Sequence, residues 1–125
     1  MTALYAEGKE HLHRCEYKKA LKDFTRAIDA YQLARDTTVD LAIVYSARSA
    51  AHFCLEKYDK ALQDAIQTVE MRPDWSKGYF RKAEALSALQ QAESALEAYR
   101  SAHSRVRGGR VSRGGWVVGW LGRTL

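Results

Sequence analysis

The chain has 125 residues, 46% of them hydrophobic. That is enough for one domain of modest core and too apolar for a disordered polypeptide. Its net charge of +5 is uneven: residues 107–125 hold Arg107, Arg110, Arg113 and Arg123 and no acid, so the basic balance says little about a folded body.

No apolar run opens the chain as a signal peptide would, and the longest late apolar cluster, 116–121, is far short of a bilayer span. Two cysteines, Cys15 and Cys54, read as free thiols of a reducing compartment, cytoplasmic or nuclear.

In chain order, the first element is a helix with Leu4, Gly8 and His11 on one face. A second helix comes after it, with the stripe Ala20, Leu21, Phe24, Ala27, Ile28 and Tyr31. A turn is expected near 36–38, with Thr37 or Thr38 as the N-cap of the next helix. That helix carries Leu41, Val44, Tyr45, Ser49 and His52, and its partner carries Leu62, Ala65, Ile66 and Val69. Pro73 ends the partner because it cannot continue the hydrogen-bond ladder, and Asp74 is placed to cap the fifth helix. The last pair has Tyr79, Ala83 and Leu86, then Leu96, Tyr99 and Ala102. Beyond Ser104 no stripe continues, and six of the eight glycines fall between Gly108 and Gly122. Glycine costs a helix about 1 kcal/mol against alanine. Residues 105–125 are therefore expected to form an irregular, disordered tail.

These elements repeat. Gly8, Ser49 and Ala83 align, as do Ala20, Ala61 and Ala95, then Leu21, Leu62 and Leu96. Phe24, Ala65 and Tyr99 form the next column, then Ala27, Thr68 and Ala102, at steps of 41 and 34 residues. Small residues at the Gly8 and Ala20 columns let two backbones approach, and Phe24 or Tyr99 fills the gap. The seven extra residues of the first step lie around 35–41 and imply longer helices there.

One exposed feature stands out. Lys77 and Arg81 lie four apart, opposite the apolar stripe of their helix. Like charges at that spacing destabilise an isolated helix by about 0.2–0.5 kcal/mol. Binding an anion would justify that cost. The alternative is neutralisation by Asp74 and Glu84, each three residues from one of the pair.

The 34-residue step, the paired helices and the columns of Gly8, Ala20, Phe24, Ala27 and Pro73 resemble the tetratricopeptide repeat. The resemblance covers residues 2–104 as three repeats, about 2–35, 42–74 and 75–104. It implies an all-α, right-handed solenoid of helix-turn-helix units whose A helices line a concave groove for peptides or proteins. Segments 45–51 and 75–82 are further similar to co-chaperone domains that hold the acidic C-terminus of heat-shock chaperones. Those domains use a two-carboxylate clamp of Lys and Asn, then Asn, then Lys and Arg. Carried over, the third-repeat pair is present as Lys77 and Arg81. Tyr5 and Lys9 stand at the first-repeat positions and Ala47 at the second. Lys9 keeps a donor and adds charge; Ala47 donates nothing. The resemblance thus implies a partial clamp of Lys9, Lys77 and Arg81, with Tyr5 as a groove aromatic.

Other chemistries find little support. His11, His13 and Cys15 suggest a metal site, but His11 and His52 share a packing column with Leu86, and no CxxC pair exists. No metal or cofactor is expected. Acids such as Asp23 and Asp29 are expected on helix exteriors, and no nucleophile, base and oxyanion donor assemble into one site, so the chain is not read as an enzyme. The tail, with Arg, Gly, Trp116 and Trp120, admits contact with nucleic acid or an anionic membrane surface; a disordered end is preferred. The reading is a protein-interaction adaptor whose groove binds a short acidic C-terminal peptide, that of a heat-shock chaperone. The alternative is a scaffold that binds a folded partner without a clamp.

Overall fold

The computed structural model describes residues 2–35 and 40–106, which form six α-helices and no strand. They are α1 (Thr2–His13), α2 (Tyr17–Ala34), α3 (Leu41–Cys54), α4 (Tyr58–Met71), α5 (Ser76–Ala88) and α6 (Ala92–Val106). Each helix packs against the next, and α3 also touches both α1 and α5. The helices therefore stack as three hairpins, with α1, α3 and α5 side by side.

The turns inside the hairpins are built alike. Cys15, Glu56 and Gln90 take left-handed backbone, with φ of 63°, 63° and 65°. They stand at the repeat steps. After each, an amide reaches back to close the end of the preceding helix. Glu16 N–H donates to His11 O at 2.8 Å, Lys57 N–H to His52 O at 2.8 Å, and Gln91 N–H to Leu86 O at 2.9 Å. These bonds satisfy carbonyls that the helix end would leave orphaned. None of the three is glycine, so each turn carries a cost on the order of 1 kcal/mol.

The small-residue column is where the hairpins close. A Cβ built on Gly8 would come within 2.5 Å of the Phe24 ring, so only glycine fits opposite that fully buried phenylalanine. Ser49 takes the place in the second hairpin, its hydroxyl donating to Ala61 O at 2.8 Å. Ala83 takes it in the third and is fully buried. Around these columns one core gathers Ala20, Phe24, Ala27, Ile28, Tyr31, Val44, Ala47 and Ala51. A smaller one gathers Ala83, Leu86, Ala95 and Ala98.

The expected elements are all present, with differences in detail. α2 carries much of the extra length, at 18 residues against 14 for α4. Thr37 and Thr38 lie outside the described residues; the cap of α3 is Asp40, whose carboxylate accepts from Ala42 N–H at 3.0 Å. Asp74 does not cap α5: the N-cap position is Trp75, with no side-chain cap bond. α4 ends at Met71, with Arg72 closing it ahead of Pro73.

Three stripe residues face out rather than in: Ile66, Leu96 and Tyr99, at 37%, 51% and 39% exposure. For Leu96 and Tyr99 the reason is topological, since α6 packs on α5 alone among the described elements and its far side is uncovered. The tail from residue 107 lies outside the described residues, and α6 itself runs to Val106. No helix among the described residues is long and apolar enough to cross a membrane.

Candidate functional site

The three hairpins place the first helix of each pair in one row. α1 carries Tyr5 and Lys9, α3 carries Ala47, and α5 carries Lys77 and Arg81. Four-residue spacing within α1 and α5 puts each pair on one helix face.

The electrostatics connect α1 with α5. Burial pushes the Lys77 ammonium below the ordinary lysine value, and the charges of Arg81 and then Lys9 push the same way. Lys9 and Lys77 are remote in sequence, on α1 and α5, the two helices that flank α3 in the row. Neither lysine has an ion-pair partner among the described residues. The expected pairing of Asp74 with Lys77 does not form. Its counterpart does: Arg81 Nη1 donates to Glu84 Oε1 at 3.1 Å. The Arg81 Nε lies buried with no hydrogen-bond partner.

Tyr5 serves as a platform. Its ring packs 6.0 Å from that of Phe24, and the Lys9 ammonium sits 5.4 Å above it. A cation over a ring face is attracted by the ring quadrupole, which holds Lys9 along the row. Between the two basic ends, Ala47 is buried and presents only a methyl group.

A second polar system runs through the interior, and part of it occupies positions expected to lie outside. Asp23, expected on a helix exterior, is buried at 7% exposure, and its Oδ2 is hydrogen-bonded to His11 Nδ1 at 2.6 Å. One repeat on, His52 Nε2 lies 3.5 Å from Asp64 Oδ2. The His11 and His52 column is thus a pairing position as well as a packing one, and the third repeat replaces the pair with buried Leu86 and Ala98. Asp64 is held chiefly by Arg48, a residue that no motif singles out: Nε donates to Oδ2 and Nη2 to Oδ1, both at 2.8 Å. Arg48 Nη1 also donates to Thr25 Oγ1 at 3.3 Å, linking the first and second hairpins. The twelve-residue separation shared by both His–Asp pairs was the available signal. Asp64, Arg48 and Thr25 satisfy one another, while the Nδ1 of His52 is buried with no hydrogen-bond partner. No cluster of three potential metal ligands occurs among the described residues, and His11 and Cys15 do not form one with His13.

No protein-family model matches the sequence. Individual proteins do. The chain is 36% identical over 96 residues to the heat shock protein sti1 homolog of Schizosaccharomyces pombe, covering 77% of this chain and 15% of that protein. It is 40% identical over 80 residues to the STIP1 homolog of Dictyostelium discoideum, covering 62% and 14%. The chain therefore spans about a seventh of these relatives' length.

Among solved structures, it superposes on the TPR2B domain of yeast Sti1 in complex with an Hsp70 peptide. There the TM-score is 0.75 at 29% identity, covering 87% of this chain and 84% of that one. It matches the first TPR of Spaghetti (RPAP3), bound to the HSP90 peptide SRMEEVD, with a TM-score of 0.74 at 25% identity, covering 83% and 77%. The three hairpins fold and stack as the tetratricopeptide repeats of these domains do.

Proposed function

We propose that this tetratricopeptide-repeat domain, three repeats within residues 2–104, is an interaction adaptor whose concave row of helices holds a short acidic C-terminal peptide. The peptide class is that of heat-shock chaperone C-termini, and the setting is the cytoplasm or nucleus. The observation that carries the proposal is the placement of Lys9 on α1 and of Lys77 and Arg81 on α5, the helices flanking α3, with neither lysine paired to an acid among the described residues; the charges of Arg81 and Lys9 also push the Lys77 ammonium down. An anion seated among them relieves the repulsion and gains charge-assisted hydrogen bonds. The peptide-bound TPR domains of Sti1 and RPAP3 share the fold that presents this face.

Each residue then has a distinct role. Arg81 offers a planar guanidinium, suited to a carboxylate, and Lys77 adds a mobile point charge. Lys9, steadied on Tyr5, supplies positive charge from the first repeat. Ala47 leaves the centre without a donor, so binding rests on the cationic ends and is salt-sensitive.

The test is anisotropy of a fluorescent acidic peptide against the whole chain and against the double variant Lys77→Ala, Arg81→Ala. Loss of two charge-assisted contacts weakens binding by about a hundredfold. Unchanged affinity, with an unchanged helical spectrum, would transfer the function to the alternative: a scaffold that takes a folded partner elsewhere on the solenoid.

A further inference from the structure

The last hairpin carries an apolar face that no described element covers. The buried stripe of α6, Ala95, Ala98 and Ala102, is turned inward. Beside it runs a second stripe, Ala92, Leu96 and Tyr99, four and then three residues apart on one helix face, and all three are exposed. Phe80 of α5 continues it: its ring stands edge-on to that of Tyr99 with centroids 6.1 Å apart, and it too is exposed. The patch therefore spans both helices of the third hairpin.

The earlier repeats show how such a stripe is closed. Leu62 stands in the column of Leu96, and it packs against the cluster that α5 and α6 form one repeat further on. Phe24 and Ala65 stand in the column of Tyr99, and both are fully buried. α2 packs on α3, and α4 on α5, as well as on their own hairpin partners, whereas α6 packs on α5 alone among the described elements.

The chain that follows α6 suits this face in composition, reach and charge. Five of the six residues from Trp116 to Leu121 are large and apolar, and none is charged. Each indole buries about 150–250 Å² when it packs. Nine residues, 107–115, separate this segment from the end of α6. Extended, nine residues span roughly 30 Å. Along the helix axis, Tyr99 lies about 10 Å and Leu96 about 15 Å back from Val106. The segment thus reaches the patch with slack, and Gly108 and Gly109 permit the reversal that the return requires. Arg107, Arg110 and Arg113 lie within that connection. Beside the patch, α6 carries Glu93 and Glu97, four apart, exposed and without an ion-pair partner among the described residues, together with Arg100.

We infer that the segment 116–121 folds back within the same chain and covers the face of Phe80, Leu96 and Tyr99, as the following hairpin covers Leu62. The drive is the removal of apolar surface from water on both sides of the contact. Docked there, the segment withholds from a second copy of the chain a patch that would otherwise invite association. The contact uses none of Lys9, Lys77 and Arg81.

The test is acrylamide quenching of tryptophan emission in the full chain, with sedimentation velocity on the same samples. The double variant Trp116→Phe, Trp120→Phe supplies the Trp75 background to subtract. The two tail indoles should be shielded, equally at all protein concentrations, in a monomer. Leu96→Arg should raise their quenching several-fold, and Tyr99→Ser should do the same; both sites are exposed, and an unchanged helical spectrum confirms the fold. Leu33→Arg places the same charge on the exposed surface of α2 and should change nothing. Three results would each overturn the inference. The indoles could be fully quenched in the unsubstituted chain. They could be shielded only as a dimer forms, which would make the occupant a second copy. Their shielding could survive both Leu96→Arg and Tyr99→Ser, which would place them elsewhere. None of these outcomes depends on whether the basic row binds a peptide.

Discussion

Arg48 and Asp64 are joined by two parallel hydrogen bonds of 2.8 Å across the second hairpin, the planar fork of one matched to the carboxylate of the other. The carboxylate side chain is only 8% exposed, so it depends on that fork in place of water. The pairing and burial act against each other on the arginine: the bond to Asp64 raises the guanidinium's proton affinity while desolvation lowers it, and the net direction is up. Arg48→Ala would leave Asp64 buried beside a largely uncharged His52. Removing one partner of such a pair costs about 3 kcal/mol. Urea unfolding should show the midpoint falling with little change in slope. Arg48→Lys should recover only part of the loss, because an ammonium cannot make the two parallel bonds.

His52 gives stability a pH dependence of definite sign. Burial lowers its proton affinity below the ordinary histidine value, and this outweighs the attraction of Asp64; Arg48, Lys57 and Lys60 add to the lowering. The folded state therefore holds the ring neutral, with the buried Nδ1 unpartnered. Because the folded value lies below the unfolded one, His52's contribution is present above about pH 6.5 and is lost as pH falls through the folded value. The third repeat shows how to remove this dependence, since Leu86 stands in the same column. His52→Leu should narrow the difference in thermal midpoint between pH 7 and pH 5. An unchanged difference would mean that another group sets the slope.

Ala47 marks where the row departs from the family's clamp. It is buried between the two cationic ends and offers no hydrogen bond. Ala47→Asn should add a donor at the centre and strengthen binding of an acidic peptide by about tenfold, the worth of one bond to a charged group. Anisotropy with the same peptide reads the gain. A loss of affinity with intact helicity would show that the methyl group itself is part of the contact surface.

Much of the fold was legible because it depends on size patterns that recur. Gly8 opposite Phe24, the alanine column and Pro73 are each tied to a local steric requirement, and each can be read from residue type alone. The basic pair Lys77 and Arg81 was legible because both lie on one helix. Its connection to Lys9 was implied only through the family resemblance, since periodicity does not say how α1 and α5 face each other. Arg48–Asp64 and the two His–Asp pairs were missed because their partners come from different helices. A carboxylate in a helical pattern reads as exposed until its partner is known. Leu96 reads as core from its column, yet it is half exposed because α6 has no described neighbour beyond it.

If the row of Lys9, Lys77 and Arg81 binds an acidic peptide, it should do so through the peptide's terminal carboxylate. Calorimetric titration of the whole chain with one acidic peptide, as free acid and as C-terminal amide, isolates that group. The free acid should bind at micromolar strength, the amide at least tenfold more weakly, and affinity for the free acid should fall as salt is raised. Equal affinities for the two peptides would rule out carboxylate capture by this row.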